Sequence, residues 1–307
     1  LEFRRVLFRS MNMTLKRVGD RPIQYQADTH SNLLDQAVFT VRSVNEAVWD
    51  GANQPVTAVL SNYELLFLLE GEAAFTQKDY HSDARTGDVV LLSPFTPYTV
   101  CPVEGQPLRC LSIHFLLSPS YMERVFDGMF HSKSGLAVKP SDPNAIHTLM
   151  QMLLESWNAG SGNAPALARA VLYAVLPQMA DESFDPKAEP YAYTRSQADL
   201  IDRAVRLAAE GLAGPVRIQS LVRHLGVSES RLNKTFNDVL GIPPSRYFMN
   251  MKMRRVEEMV ALTDMTMEEI SSGMGFSSAF HLSRAYKDTF GVSPSQFRKQ
   301  FRMGFVK

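Results

Sequence analysis

The chain has 307 residues, 45% of them apolar and 21% charged, which suits one large or two ordinary globular domains and excludes disorder or a fibre. Two cysteines, Cys101 and Cys110, exclude a secreted disulfide framework; no Cys/His cluster has zinc-ligand spacing, and no apolar run nears the ~18–20 residues that span a bilayer. The net charge of zero hides an asymmetry, with 15 Lys and Arg against 21 Asp and Glu in residues 1–194 and 17 against 11 in residues 195–307. The basic C-terminal third favours a polyanionic partner, because Lys and Arg release counterions condensed on phosphates. A soluble, cytoplasmic protein with no membrane segment is expected.

Residues 1–10, LEFRRVLFRS, begin with Leu1 and lack the apolar core of a signal peptide, so they read as a non-native leader before a start at Met11 or Met13. Short apolar runs then follow at 38–44, 56–60, 64–69, 73–77, 88–92, 98–101 and 109–115, cut by turn signals at Gly71-Glu72, at 85–88 and at 102–107. This pattern predicts a small antiparallel β-barrel over 11–142, each turn joining a pair of strands. After Pro143 the period changes to about 3.6 residues, with Ile146, Leu149, Leu153 and Trp157, then Leu167, Val171, Val175 and Met179. A helical hairpin is expected at 143–180. Its second apolar face, with Met150, Leu172 and Leu176, leaves open a dimer seam or ordinary packing within one chain. Residues 181–195, with Pro186, Pro190 and several acids, read as a linker.

From 196 to 307 the pattern is helical. Leu221 to Leu225, then Gly226-Val227-Ser228, spell a helix, a residue suited to a left-handed turn and a cap for a new helix. That new helix buries Leu232, Phe236 and Val239 and turns Ser230, Asn233, Lys234 and Asn237 outward. The grammar is that of a helix-turn-helix, and it recurs from Ile270 to Ser277, opening a helix with Leu282 and Tyr286 inward and Phe280, Arg284 and Lys287 outward beside His281. One helix over 244–262 joins the copies, with Lys252, Arg254 and Arg255 expected on its exposed side and suited to phosphate contact.

Over about residues 196–301 the chain resembles the AraC/XylS family of bacterial transcription regulators, through Leu221 to Leu225, Gly226-Val227-Ser228, Leu232, Phe236, Gly241, Pro244, Glu269-Ile270, Gly275-Phe276-Ser277, Ser283-Arg284 and the closing run Phe290-Gly291-Val292-Ser293-Pro294-Ser295-Gln296-Phe297-Arg298. Lys252 stands where the family usually has arginine, Val222, Val256 and Ser271 replace alanines, and Phe280 replaces a small polar residue. The 11–142 segment resembles the cupin-like domain that many of these regulators carry, through Tyr63-Glu64, Gly71, Gly87-Asp88 and Pro94 to Pro97. Metal-binding cupins place histidines where this chain has Ser61, Asn62 and Tyr98, so no metal and no cofactor are expected.

The resemblance implies a multidomain protein: an all-β cupin-like barrel with a helical hairpin, then an all-α bihelical domain whose two recognition helices enter successive major grooves about 34 Å apart. The expected function is regulation of transcription, as an activator and a homodimer, by binding double-stranded promoter DNA and answering a small-molecule effector, a sugar or an aromatic acid, with RNA polymerase as a further partner. DNA contact is expected from Ser230, Asn233, Lys234, Asn237, Phe280, His281, Arg284 and Lys287. The effector pocket is expected from Tyr63, Phe67, Phe75, Phe95 and Tyr98, whose rings stack sugars or aromatic acids. His81 and His114 suit structural roles better than ligation, and Cys101 and Cys110 suit free thiols. An enzyme fused to this module, a cupin-type catalyst or an alkyl acceptor, would need Cys or His constellations that the chain lacks; an effector-free architectural binder would use its barrel for dimerisation alone.

Overall fold

The computed structural model describes residues 29–49, 55–130, 135–180, 184, 187, 192–211 and 217–302. The leader, the two candidate starts and most of the 181–195 linker lie outside them. Helix α1 (Thr29–Gln36) precedes β1 (Val38–Trp49), β2 (Val56–Ala58), β3 (Tyr63–Glu70), β4 (Glu72–Gln77), β5 (Tyr80–Arg85), β6 (Val89–Leu92), β7 (Tyr98–Pro102) and β8 (Leu108–Ser118). A 3-10 turn (Ser120–Met122), α2 (Glu123–Phe130) and the two-residue β9 (Ala137–Val138) follow.

The strands form two antiparallel sheets, ordered β1-β8-β3-β6-β9 and β2-β7-β4-β5, that face each other as an open barrel. The three expected turns exist, but they do not make hairpins. The turns at Gly71, at 85–88 and at 102–107 each carry the chain from one sheet to the other, and the pairing partners are distant in sequence: β3 pairs with β6 and β8, and β1 with β8. Gly71 has φ +89°, and a Cβ there would lie 2.3 Å from the Pro107 carbonyl oxygen, so the crossing passes too close to the 102–107 connection for any side chain. The one tight hairpin among the described residues, β4 to β5, turns at Lys78 with φ +54°. Mostly polar, YHSDAR gives β5 no alternation to read from sequence.

Strand β3 shows how alternation divides the domain. Tyr63, Leu65 and Phe67 point away from β4 into a core shared with the helices, whereas Leu66 and Leu68 point between the sheets with Phe75, Tyr98, Val100 and Cys110. The outer core is completed by α3 (Pro143–Asn158) and α4 (Ala164–Met179), which bury Met150, Leu172 and Leu176 against the five-stranded sheet. That settles the open alternative: these three pack within the chain, each contributing about 1.5–3 kcal/mol of burial. Cys101 and Cys110 are free thiols in strands of different sheets.

The C-terminal part is helical: α5 (Arg195–Glu210), α6 (Ile218–Leu225), α7 (Glu229–Leu240), α8 (Pro244–Leu262), α9 (Met267–Gly273), α10 (Ala279–Phe290) and α11 (Pro294–Arg302). It holds two separate cores, and α8 belongs to both. Tyr247 and Phe248 pack with Leu221, Leu232 and Phe236, while Met253, Val256 and Val260 pack with Ile270, Leu282 and Tyr286. One uninterrupted helix through both cores fixes their relative placement.

Candidate nucleic-acid interface

In the first unit α6 ends at Gly226, whose φ of +68° and ψ of +34° are left-handed and favour glycine. Ser228 then caps α7, its side chain accepting from the Arg231 amide at 3.2 Å. The second unit is framed more strongly at its start: Thr266 and Glu269 form a reciprocal capping box on α9, and their hydrogen bonds hold the Glu269 carboxyl below its ordinary range. The cap of α10 falls on Ser278, which accepts from the His281 amide at 3.1 Å, one residue later than the Ser277 that the pattern suggested. Ser277 instead lies with its hydroxyl 3.0 Å from His281 Nδ1.

The expected contact residues fall into two groups on the paired recognition helices. On α7, Ser230, Lys234 and Asn237 are exposed and Asn233 half-buried; on α10, Phe280, His281, Arg284 and Lys287 are exposed. Phe280 is 78% exposed, a large apolar side chain left mostly in solvent. Arg284 lies 4.0 Å from Asp288 one turn on, an exposed pair that competes little with a phosphate.

Helix α8 departs from expectation. Of the three cations placed on its exposed side, only Arg255 is there, 2.8 Å from Glu258. Lys252 is 6% exposed, with Nζ 4.5 Å from the centre of the Phe276 ring, and burial lowers its pKa. Arg254 is half-buried against the N-terminal domain, its Nε donating to the Ser61 carbonyl at 2.8 Å and its guanidinium 5.3 Å from the Phe95 ring. The period placed α8 correctly; the tertiary neighbours took two of its charges.

The five expected pocket residues do not line one space. Tyr63 and Phe67 lie in the outer core, Tyr63 stacking on Phe115 at 5.4 Å and Phe67 on His147 at 5.9 Å. Phe95 leaves the barrel for the second unit, with its ring 6.2 Å from Phe290. Only Phe75 and Tyr98 look between the sheets. There a polar pair that sequence reasoning missed accompanies them. Glu64 and His114 sit opposite each other in the β3–β8 register, with His114 Nε2 3.3 Å from Glu64 Oε1 and His114 Nδ1 2.9 Å from Asn62 Oδ1. Burial raises the Glu64 pKa, and the His114 beside it opposes the rise. His81 is exposed near Asp83 and Thr76, and no group of three His, Cys, Asp or Glu side chains able to hold a metal occurs among the described residues.

Residues 221–300 match a family model described as a helix-turn-helix domain. The chain is 24% identical over 251 residues to the Msm operon regulatory protein of Streptococcus mutans, covering 80% of this chain and 86% of that one. It is 30% identical over 81 residues to the arabinose operon regulatory protein of Salmonella typhimurium, 26% of this chain and 29% of that one. The crystal structure of ToxT from Vibrio cholerae superposes with a TM-score of 0.57 at 12% identity, covering 87% of this chain and 98% of that one, and so shares its two-part fold. The twin capped units on one shared helix, the matched helix-turn-helix segment and relatives named as operon regulators agree: this chain is a DNA-binding transcription regulator, similar to those of the AraC/XylS family.

Proposed function

We propose that the protein is a ligand-responsive regulator, an activator rather than an enzyme, that binds promoter DNA as a homodimer through α7 and α10 and answers a small molecule held between its two sheets. The observation that carries the reading is the pair of exposed recognition faces, Ser230, Asn233, Lys234 and Asn237 on one and Phe280, His281, Arg284 and Lys287 on the other, fixed together by α8. Both would read base edges while Arg255 meets phosphate. The V. cholerae neighbour has also been solved with an unsaturated fatty acid bound, which supports a small-molecule role for this chain. In this chain Phe75 and Tyr98 offer rings, and Glu64 beside His114 favours a neutral, hydroxylated ligand such as a sugar over an aromatic acid, whose carboxylate would meet Glu64.

Dimerisation is supported by the outer side of α4, where Ala166, Ala170, Tyr173 and Ala174 are exposed. Contact with RNA polymerase belongs to the same reading. Full-length protein should bind duplex fragments from its own upstream region and lose affinity steeply with salt. A metabolite panel screened by thermal shift should then yield a compound that both stabilises the protein and alters that affinity. Salt-insensitive binding would reject the DNA reading, and stabilising compounds that leave DNA affinity untouched would reject the regulatory one.

A further inference from the structure

The N-terminal domain docks on both helix-turn-helix units, and the seam between them is crowded with acids. From the N-terminal side come Glu123 and Asp127 of α2, Ser61 before β3, Tyr63 of β3, and Arg42 of β1; from α8 come Tyr247, Arg254, Glu257 and Glu258. The Tyr247 hydroxyl donates to Glu123 Oε1 at 3.1 Å, the Ser61 hydroxyl donates to Glu257, and Arg42 pairs with Glu258. Asp127 accepts from the Tyr63 hydroxyl at 3.1 Å and from Ser93 Oγ at 2.8 Å. Phe95 against Phe290, with Val59 beside them, closes the apolar part of the seam on the second unit. On the first unit, Arg124 donates to the Asp238 carbonyl at 2.9 Å.

Charge does not balance there. Four carboxyls, Glu123, Asp127, Glu257 and Glu258, face Arg42 and Arg254, with the exposed Arg255 reaching Glu258 and Arg124 turned to the Asp238 carbonyl of the first unit. Glu123 and Glu257 have hydroxyl donors as their hydrogen-bond partners, and Arg254, whose charge favours ionisation of both, spends its Nε on a backbone carbonyl. The Tyr286 hydroxyl of α10, buried with no hydrogen-bond partner, lies in electrostatic range of Glu257. We infer that this seam is a proton-binding switch: Glu123 and Glu257 take up protons when the domains dock and release them when the domains part, so that pH sets how firmly the two helix-turn-helix units are held against the N-terminal domain. This goes beyond the effector reading, because the ligand is the proton and the site is the seam and not the barrel.

The sign follows from burial. Desolvation pushes both carboxyls up to about 7, against Arg254 and the hydroxyl bonds, which pull them down. In the parted form both face water and titrate near the ordinary 4.5. Docking is therefore unpenalised below the ordinary value and weakens as pH rises through the window up to about 7. A carboxyl desolvated beside too few cations behaves in this way.

The test is site-resolved thiol labelling of full-length protein carrying Val59→Cys, wedged in the seam, read by peptide mass spectrometry against a Val48→Cys variant on the exposed barrel edge. The exposed cysteine removes the pH dependence of the thiol itself. Protection at position 59 should fall by roughly 70-fold per carboxyl between about pH 5 and about pH 8. Glu123→Gln or Glu257→Gln, each isosteric and uncharged, should remove part of that slope, and the double variant should abolish it while staying protected at both values. Equal protection of the parent protein at both pH values would overturn the inference, as would a double variant that keeps the parent's slope. Glu268→Gln, on the surface of α9, serves as a control and should leave the slope unchanged.

Discussion

Set side by side, the two helix-turn-helix units repeat one backbone plan while presenting different chemistry: the first offers three short polar side chains and a lysine on α7, the second an uncovered phenyl ring, a histidine and two cations on α10. Asn237 even ties its amide back to the Asn233 carbonyl at 2.9 Å, which holds the first face in order before any DNA arrives. Nothing comparable orders Phe280. The difference teaches that the fold is specified by the buried positions, Leu232 and Phe236 in one unit and Leu282 and Tyr286 in the other, whereas the outward positions are left to specificity.

The comparison breaks most completely through the core. Phe236 is fully buried and its ring meets Tyr247 at 5.7 Å and Phe248 at 5.4 Å, both on α8. Phe236→Ala should cost about 3–5 kcal/mol and Leu282→Ala about 2–5 kcal/mol. Because α8 lies in both cores, either change should weaken protection of both halves of the DNA site in a footprint. Loss confined to one half would show that the units stand independently and that α8 transmits nothing.

Smaller effects sharpen the same contrast. Asn233→Ala should alter preference at one or two base pairs by about 1–3 kcal/mol without changing stability, measured by binding to a panel of single-base variants. A uniform loss over the panel would assign Asn233 to the backbone. For the second unit, Phe280→Ala should leave thermal stability unchanged, since the ring is mostly exposed, and should remove a contact with a thymine methyl. Replacing that thymine with uracil should weaken the parent protein and leave Phe280→Ala nearly indifferent; equal sensitivity in both proteins would exclude the contact.

How much of this was legible depends on the range of the contacts. The helices of the C-terminal part follow from local spacing and caps, so Gly226, Ser228 and the 244–262 helix could be read directly. The strands were legible as segments but not in their pairing, because Gly71 and its counterparts look like hairpin turns from either side, and only the whole topology shows that they cross between sheets. Aromatic type alone could not sort the pocket: Tyr63 and Phe67 fall on the outer face of β3 by alternation, and the neighbouring Glu64 falls inside, where a polar residue breaking an apolar run was the available signal. The seam left only a faint trace, in that Ser61 and Asn62 stood out for lacking ligand character and turned out to hold α8 and His114.

The smallest effect concerns which charges on α8 belong to DNA. Lys252 and Arg255 are three residues apart and look alike in sequence, yet the lysine is inside, over the Phe276 ring of the second turn, and the arginine is outside. A buried cation cannot displace counterions from a phosphate. Lys252→Met, close in volume, should therefore leave the slope of log affinity against log salt unchanged, while Arg255→Ala should flatten it by about one. The stability change for Lys252→Met should be about 2 kcal/mol, the size of a desolvated cation–ring contact. Its pH dependence carries a definite sign. Burial lowers the lysine pKa in the folded protein from the ordinary 10.5, so the unfolded chain binds the proton more readily and the folded form gains stability as pH rises toward that value. Chemical denaturation at increasing alkaline pH should thus show the parent protein gaining on Lys252→Met; a gap that narrows instead, or a salt slope that falls with the lysine, would place Lys252 on the DNA-facing side of the helix.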